Sequence, residues 1–446
     1  MQNLIASSTS RAIIGAGLTG RSMVRCLQRE GLDFDWFDTR PALDDLEQIQ
    51  AETGAVPQLG DLDPDQLSNY DELLLSPGVP ASLPVLQKAA EQGARISGDV
   101  DLFARRAKAP IAAITGSNGK STVTALLAHL AAEQGRKVTA AGNIGLPVLD
   151  LLAQPWDLYV LELSSFQLET TRDLGARVAA ILNISPDHMD RYPDMLSYHQ
   201  AKQRIYQGAQ HLVCNREDPL TMPLLAEGQT YVTFGLSDPD LGQYGIRTRG
   251  GRCGLFKGMD LLLYADELKL AGMHNMANVL AALAMAEELG LDLASSISSL
   301  KQWSGLPHRC QLVSQHGGIQ WVNDSKATNL GATIAAVEGL AGDSGLILIA
   351  GGQGKQQDFS GFAAHLKGKV RQVFLIGEMA SELYRELTPD IAATCCDSLE
   401  AAVKAAKDCA VSGETVLLSP ACASFDMFSG YAERGETFAR LAGGAI

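Results

Sequence analysis

No stretch of the 446 residues approaches the roughly 18 consecutive apolar residues that a membrane-spanning helix needs, so no membrane span is expected. Positive charge is scarce as well. Thirty-six Lys and Arg face 51 Asp and Glu, a net charge of −15, and no basic patch offers a nucleic-acid footprint. The eight cysteines (26, 214, 253, 310, 395, 396, 409 and 422) include no CxxC pair and no other metal spacing. They read as reduced thiols of a cytoplasmic protein. Residues 1–8 carry neither a basic segment nor a sustained apolar one, so no signal peptide is expected. What is left is an ordinary globular composition, 46% hydrophobic and 20% charged, long enough for two or three domains.

An acidic chain that binds phosphates must place positive charge locally, and one turn does so. Thr115-Gly116-Ser117-Asn118-Gly119-Lys120-Ser121-Thr122 follows the apolar run 111–114 and precedes an apolar-periodic one, 123–130. That order predicts a strand, a glycine-rich loop and a helix. Backbone amides and the helix dipole then face an anion, Lys120 reaches the outer phosphates, and Ser121 or Thr122 offers an oxygen to Mg²⁺. The general phosphate-loop pattern wants Gly at 114, where this chain has Ile, so the match is to a shortened variant.

A second glycine loop, Gly15-Ala16-Gly17-Leu18-Thr19-Gly20, follows an expected strand at 11–14 and leads into a helix to Glu30, with Gly31 beyond. The next strand, 34–37, ends at Asp38, 18 residues past Gly20. This spacing satisfies the dinucleotide fingerprint. Its physics asks only that a diphosphate or ribose approach a helix N-terminus. A nicotinamide, another nucleotide and a purely structural turn therefore all stay open at this point. A further strand, 72–75, stops at Ser76-Pro77-Gly78.

This alternation predicts an α/β chain with parallel sheets. The pattern restarts near 98 and again after Gly305-Leu306-Pro307, giving domains at 1–98, 99–305 and 306–446. The second carries expected strands at 137–141, 157–163 and 178–184, a helix at about 195–207, a Gly-rich strand-like stretch over 230–270 and a long helix over 275–289. In the third, Gly317-Gly318 marks a hairpin, and strands near 345–350, 371–376 and 414–418 alternate with helices.

Three residues have two readings each. Glu162 ends an apolar strand, where a carboxylate needs a cation, supplied by an ion pair or a metal. His188 follows a strand, a common place for a structural histidine. Lys202, by its spacing, is an exposed helical lysine.

Together the motifs resemble the Mur ligases of peptidoglycan synthesis, in their D-glutamate-adding form, along the whole chain. Residues 115–122 are similar to the family's ATP loop. Leu161-Glu162-Leu163-Ser164-Ser165-Phe166-Gln167-Leu168-Glu169, Asp187-His188-Met189-Asp190 and His274-Asn275 resemble its central motifs. Asn323-Asp324-Ser325-Lys326-Ala327-Thr328-Asn329 and Leu418-Ser419-Pro420-Ala421-Cys422-Ala423-Ser424 resemble the glutamate-adding form of its third domain. The DNPR-type motif of the diamino-acid-adding relative is absent.

The resemblance implies three domains: a Rossmann-like N-terminal domain for a UDP-substrate, a central P-loop-type ATPase domain with a mixed sheet, and a Rossmann-like C-terminal domain for an amino acid. It also implies a cytoplasmic, monomeric, ADP-forming ligase joining D-glutamate to UDP-N-acetylmuramoyl-L-alanine through an acyl phosphate and a tetrahedral intermediate. Lys120 would then neutralise the β- and γ-phosphates. Ser121 or Thr122 with Glu162 would hold Mg²⁺, and His188 a second ion. Lys202 would be carbamylated, which needs a neutral amine and hence a lowered pKa. Gly116, Ser117, Asn118, Gly119, Asn275, Asn278, Arg309 and Asp324 would complete the ATP side. Leu18, Thr19, Asp38, Thr39, Arg40, Ser76, Gly78 and Asn143 would take the UDP-substrate, with Asp38 on the ribose and Arg40 either at the uracil edge or a plain surface charge. Lys326, Thr328, Lys355, Ser424 and Tyr431 would receive D-glutamate, Tyr431 standing where the family usually has Phe.

Overall fold

The computed structural model describes residues 9–225, 229–270, 272–341, 345–354, 357–388 and 390–443. Three sheets follow one another along the chain. The first is wholly parallel: β1 (Arg11–Ile14), β2 (Asp35–Asp38), β3 (Gln58–Leu59), β4 (Glu72–Leu75) and β5 (Arg95–Gly98), in the order β3-β2-β1-β4-β5. Its central strands are apolar on both faces, as helix cover on both sides demands; Ile13, Ile14, Leu73 and Leu74 are fully buried. The order reverses between β1 and β4, which opens a crevice at the carboxyl ends of these strands. The helix behind the glycine loop, Leu18–Arg29, starts earlier than the pattern suggests and takes Gly20 into its first turn. A Cβ on Gly20 would lie 1.9 Å from the Gly15 carbonyl oxygen, so this close helix–strand approach requires glycine.

The second sheet has nine strands: β6 (Ile111–Thr115), β7 (Val138–Gly142), β8 (Leu158–Glu162), β9 (Val178–Ile181), β10 (His211–Asn215), β11 (Tyr231–Phe234), β12 (Tyr244–Arg249), β13 (Arg252–Lys257) and β14 (Asp260–Tyr264). Their order is β14-β13-β12-β11-β10-β9-β6-β8-β7. Pairing is parallel from β7 to β12 and antiparallel across β12, β13 and β14, a mixed sheet as expected. β6 lies between β9 and β8, so the phosphate loop leaves the middle of the sheet. Helices Lys120–Glu133 and Met273–Glu288 cover one face with Leu126, Leu127, Val279 and Leu283, all buried in one cluster. Each such side chain contributes about 1.5–3 kcal/mol.

Two expectations shift here. The strand expected over 178–184 stops at Ile181, because Asn183 leaves the ladder to bond the phosphate loop. The helix expected over 195–207 ends at Gln203 and tightens into a 3₁₀ turn, Arg204–Tyr206.

The third sheet comprises β15 (Gln311–His316), β16 (Ile319–Asn323), β17 (Leu346–Gly351), β18 (Val370–Ile376), β19 (Ala393–Cys395) and β20 (Thr415–Leu418), in the order β15-β16-β20-β17-β18-β19. β15 and β16 form the expected hairpin, with Gly317 at φ +61° and Gly318 at +77°, the positive pair that a two-residue primed turn needs. The other pairs are parallel. One hydrophobic cluster runs from Ile13 and Leu27 through Phe103 to Leu161 and Leu212, which joins the first sheet's layer to the second. Among the described residues no helix is long and apolar enough to cross a membrane.

Candidate active site

The phosphate loop is built around a shared carbonyl. Lys120, at the start of its helix, donates to the Gly116 and Ser117 carbonyls at 2.8 and 2.9 Å. Lys202 donates to the same Gly116 oxygen at 2.9 Å. Spacing alone makes Lys202 an exposed lysine; the structure corrects this, leaving it 1% accessible. Its ammonium sits 4.7 Å over the Tyr198 ring, and Tyr198 in turn hydrogen-bonds the Ser117 hydroxyl at 3.0 Å. Burial and the neighbouring Lys120 charge drive the Lys202 pKa well below the ordinary lysine range. A neutral amine in this position is what carbamylation requires.

Glu162, at the end of β8, faces this loop. Asn143 donates to its Oε1 at 2.8 Å, while its Oε2 is buried with no hydrogen-bond partner. An orphaned carboxylate oxygen is costly unless a cation meets it. Ser121 lines the same chamber and Thr122 the neighbouring cavity, so of the two hydroxyls Ser121 is the one on the Glu162 side. Among the described residues no three His, Cys, Asp or Glu side chains converge on a metal position. An ion there would take Glu162, a hydroxyl and phosphate or water oxygens, a mixed set suited to Mg²⁺. His188 lines the chamber too, with a left-handed backbone (φ +59°) and its ring 4.9 Å from Phe166.

Behind the loop lies a cavity of about 340 Å³ lined by Asn118, Gly119, Thr122, Asn275, Asn278, Arg309 and Asp324, all named from the sequence. Asn275 and Asn278 are the polar groups on the otherwise apolar buried face of the helix Met273–Glu288. Arg309 crosses from the third sheet's side to donate to the Ser121 hydroxyl at 2.7 Å. Burial pushes the Asp324 carboxyl up to about 6, although Ser419 and the Cys310 amide both donate to it.

The crevice of the first sheet forms a second cavity, about 540 Å³, lined by Leu18, Thr19, Asp38, Thr39, Arg40, Ser76, Gly78 and Asn143. All eight expected residues meet there. Asp38 is occupied from within the protein: Arg40 grips both its oxygens at 2.8 Å and the Ala16 amide donates at 2.7 Å. Burial opposes its ionisation, but these donors outweigh burial and hold its pKa low. Asn143, Ser164 and Phe166 line both this crevice and the chamber at the phosphate loop, so the two adjoin.

The acceptor set is only partly assembled. Lys326 and Thr328 line the chamber. Tyr431 touches Lys326, whose ammonium lies 3.9 Å from the ring centre, but neither Tyr431 nor the buried Ser424 lines the three cavities described. Lys355 lies outside the described residues.

Several chamber residues escaped the sequence reading. Tyr198 and Asn183 carry no spacing signal, since their partners are 81 and 65 residues away. Phe166 and Asp187 sat inside motifs already noticed. Asn329 closed a motif already noticed; nothing local shows that it reaches Asn118 and Asp187.

Residues 9–98 match the Mur ligase MurD-like N-terminal domain, 114–286 the Mur ligase middle domain and 308–422 the Mur ligase glutamate ligase domain. The chain is 47% identical over 441 residues to the UDP-N-acetylmuramoylalanine--D-glutamate ligase of Pseudomonas syringae pv. tomato, covering 98% of each. The ligase of the same name from Marinobacter nauticus is 45% identical over 444 residues, with 99% of this chain and 100% of that one covered. Among solved structures, the UDP-N-acetylmuramate-alanine ligase MurC of Thermotoga maritima shares the fold at a TM-score of 0.58 and 19% identity, over 97% of this chain and 98% of that one. The MurF ligase of Thermotoga maritima, solved in complex with ADP, does so at 0.58 and 16%, over 86% and 96%. With nearly half its residues shared along almost the whole length of such relatives, the chain belongs to the Mur ligase family.

Proposed function

We propose that this enzyme joins D-glutamate to UDP-N-acetylmuramoyl-L-alanine in peptidoglycan precursor synthesis, converting ATP to ADP and phosphate. The observation that carries the reading is the chamber where Lys120, Glu162, His188 and Lys202 meet Lys326 and Thr328, adjoining the first sheet's crevice at Asn143. The substrate pair comes from the relatives, which bear the ligase name along their full length. The division into units at 1–98, 99–305 and 306–446 follows the three sheets, and a monomer in the cytoplasm suits ATP and a UDP-linked substrate.

A carboxylate is a poor electrophile toward an amine in water. It first attacks the γ-phosphorus, the bond to the β-phosphate oxygen breaks, and ADP leaves. The amine nitrogen then attacks the carbonyl carbon of the acyl phosphate. The tetrahedral adduct expels phosphate, and the nitrogen loses its proton. Positioning and charge neutralisation dominate such a transfer.

Lys120, already held against the loop carbonyls, turns toward the phosphates. Arg309 adds a second cation beside Ser121. Asn275 and Asn278 face the nucleoside end, and Asn143 orients Glu162 while touching the crevice. Ser121 and Glu162 would hold Mg²⁺, with carbamylated Lys202 and His188 beside it; the ion supplies positive charge to the transferring phosphoryl group. Lys326, with its ammonium over Tyr431, attracts an acceptor carboxylate, and Thr328 adds a hydroxyl. Lys355 and Ser424 are proposed for the other carboxylate.

A coupled ADP-release assay with the UDP-substrate and a panel of amino acids tests this. Release with D-glutamate but not with L-alanine or diamino acids is expected; a preference for either of the latter would overturn the assignment.

A further inference from the structure

We propose that Asn329 is a positioning residue that locks the third domain's acceptor loop onto both the phosphate loop and the His188 turn. Asn329 caps the helix Leu330–Leu340: its Oδ1 accepts from the Ala332 amide at 2.9 Å. Its Nδ2 points the other way and donates to Asn118 Oδ1 and Asp187 Oδ2, each at 3.2 Å. The side chain is buried while its two acceptors are half-buried, so both donor bonds are partly shielded from water. The fit between the two surfaces is close. A Cβ on Gly331 would lie 3.2 Å from Ser185 Oγ and 3.5 Å from Asn118 Nδ2.

Each acceptor belongs to a different part of the machinery. Asn118 is in the phosphate loop, where its amide and carbonyl are fixed by Asn183 at 2.8 and 3.0 Å. Asp187 accepts the His188 amide on its other oxygen at 3.0 Å, so it sets that turn. Thr328 and Lys326 immediately precede Asn329, so a movement of the acceptor loop must pull on its amide. Swinging the third domain away breaks both donor bonds at once, and bringing it back remakes them. One carboxamide nitrogen thereby reports the position of the acceptor loop to the two segments that handle phosphate.

A plain helix cap is the competing role, and the two separate cleanly. Asn329→Asp keeps the cap acceptor, since Asp caps as well as Asn, but removes the donor and sets a carboxylate against Asp187. Asn329→Ser keeps an uncharged cap without the reach. In the full-length chain without substrates, both variants should keep the parental unfolding midpoint yet exchange amide hydrogens faster at 116–119 and 185–190. The double variant Asn329→Asp with Asp187→Asn exchanges donor and acceptor and should restore protection.

The kinetic arm rests on the ligase reading. kcat should fall about ten- to a hundredfold in the single variants, the scale expected when two partly buried hydrogen bonds are lost, while Kd for the UDP-substrate stays parental. A parent that turns over no D-glutamate would sink the ligase reading and leave the exchange arm to decide the lock. Parental exchange in both single variants, a lowered unfolding midpoint in both, or a double variant no better than Asn329→Asp would overturn the proposal.

Discussion

Two ammonium groups, Lys120 and Lys202, donate to one carbonyl, that of Gly116, and the charge on Lys120 disfavours a second charge on Lys202. Lys202 is the buried member and the one whose pKa is driven down. Loss of its side chain through Lys202→Ala should cut ADP release by about a hundredfold or more, the scale on which a residue acting within a catalytic unit is missed. Labelled bicarbonate should give a carbamate carbon signal in the parent and none in that variant. A second buried group makes a pH prediction. Asp99 is fully buried with an unpartnered Oδ1, and burial pushes its pKa up to about 6 against the donation of the Val100 amide and Gln167. The folded chain holds this proton up to about pH 6, whereas the unfolded chain releases it near 4. Stability therefore falls as pH rises through that window, and the cost persists above it. Asp99→Asn should be more stable than the parent by on the order of 2–3 kcal/mol at pH 7.5 and gain about half of that at pH 5, read from urea midpoints at both. Spacing revealed neither feature, because burial of Lys202 and Asp99 comes from elements distant along the chain; only the family resemblance pointed to Lys202.

At the scale of elements, the glycine loops were the most legible parts, since their chemistry is local. Strand, glycines, lysine and helix in that order can do little else than present amides to an anion, and the structure keeps that order at 111–133, while the loop at 15–20 keeps strand, glycines and helix without the lysine. Gly119 shows why the residue type is strict. Its φ is +84°, and a Cβ there would lie 2.4 Å from Asn278 Oδ1. Gly119→Ala should therefore weaken ADP binding about tenfold or more by calorimetric titration and cost about 1–3 kcal/mol of stability. Element ends were less legible for the same reason that they matter. β9 stops at Ile181 because Asn183 is needed at the loop, and the helix Leu18–Arg29 starts early because Gly20 must touch Gly15. Asp38 was readable as a strand-end carboxylate, but not as one already held by Arg40 at 2.8 Å.

For the molecule as a whole, the decisive feature is convergence. The crevice of the first sheet adjoins the chamber onto which the phosphate loop of the second and the Lys326–Asn329 loop of the third both open. The motifs announced each part separately. Their meeting depends on packing that spacing cannot encode, such as Arg309 reaching Ser121 across 188 residues. An arrangement that brings a nucleoside diphosphate end, an ATP loop and an amino-acid loop together is suited to activating a carboxylate and passing it to an amine. That claim has a direct test. UDP-N-acetylmuramoyl-L-alanine carrying oxygen-18 in its free carboxylate is turned over with ATP and D-glutamate, and the released phosphate is analysed by mass spectrometry. Transfer through an acyl phosphate predicts that the phosphate carries one labelled oxygen from the carboxylate. Phosphate released without label, with the amide product formed, would contradict the account.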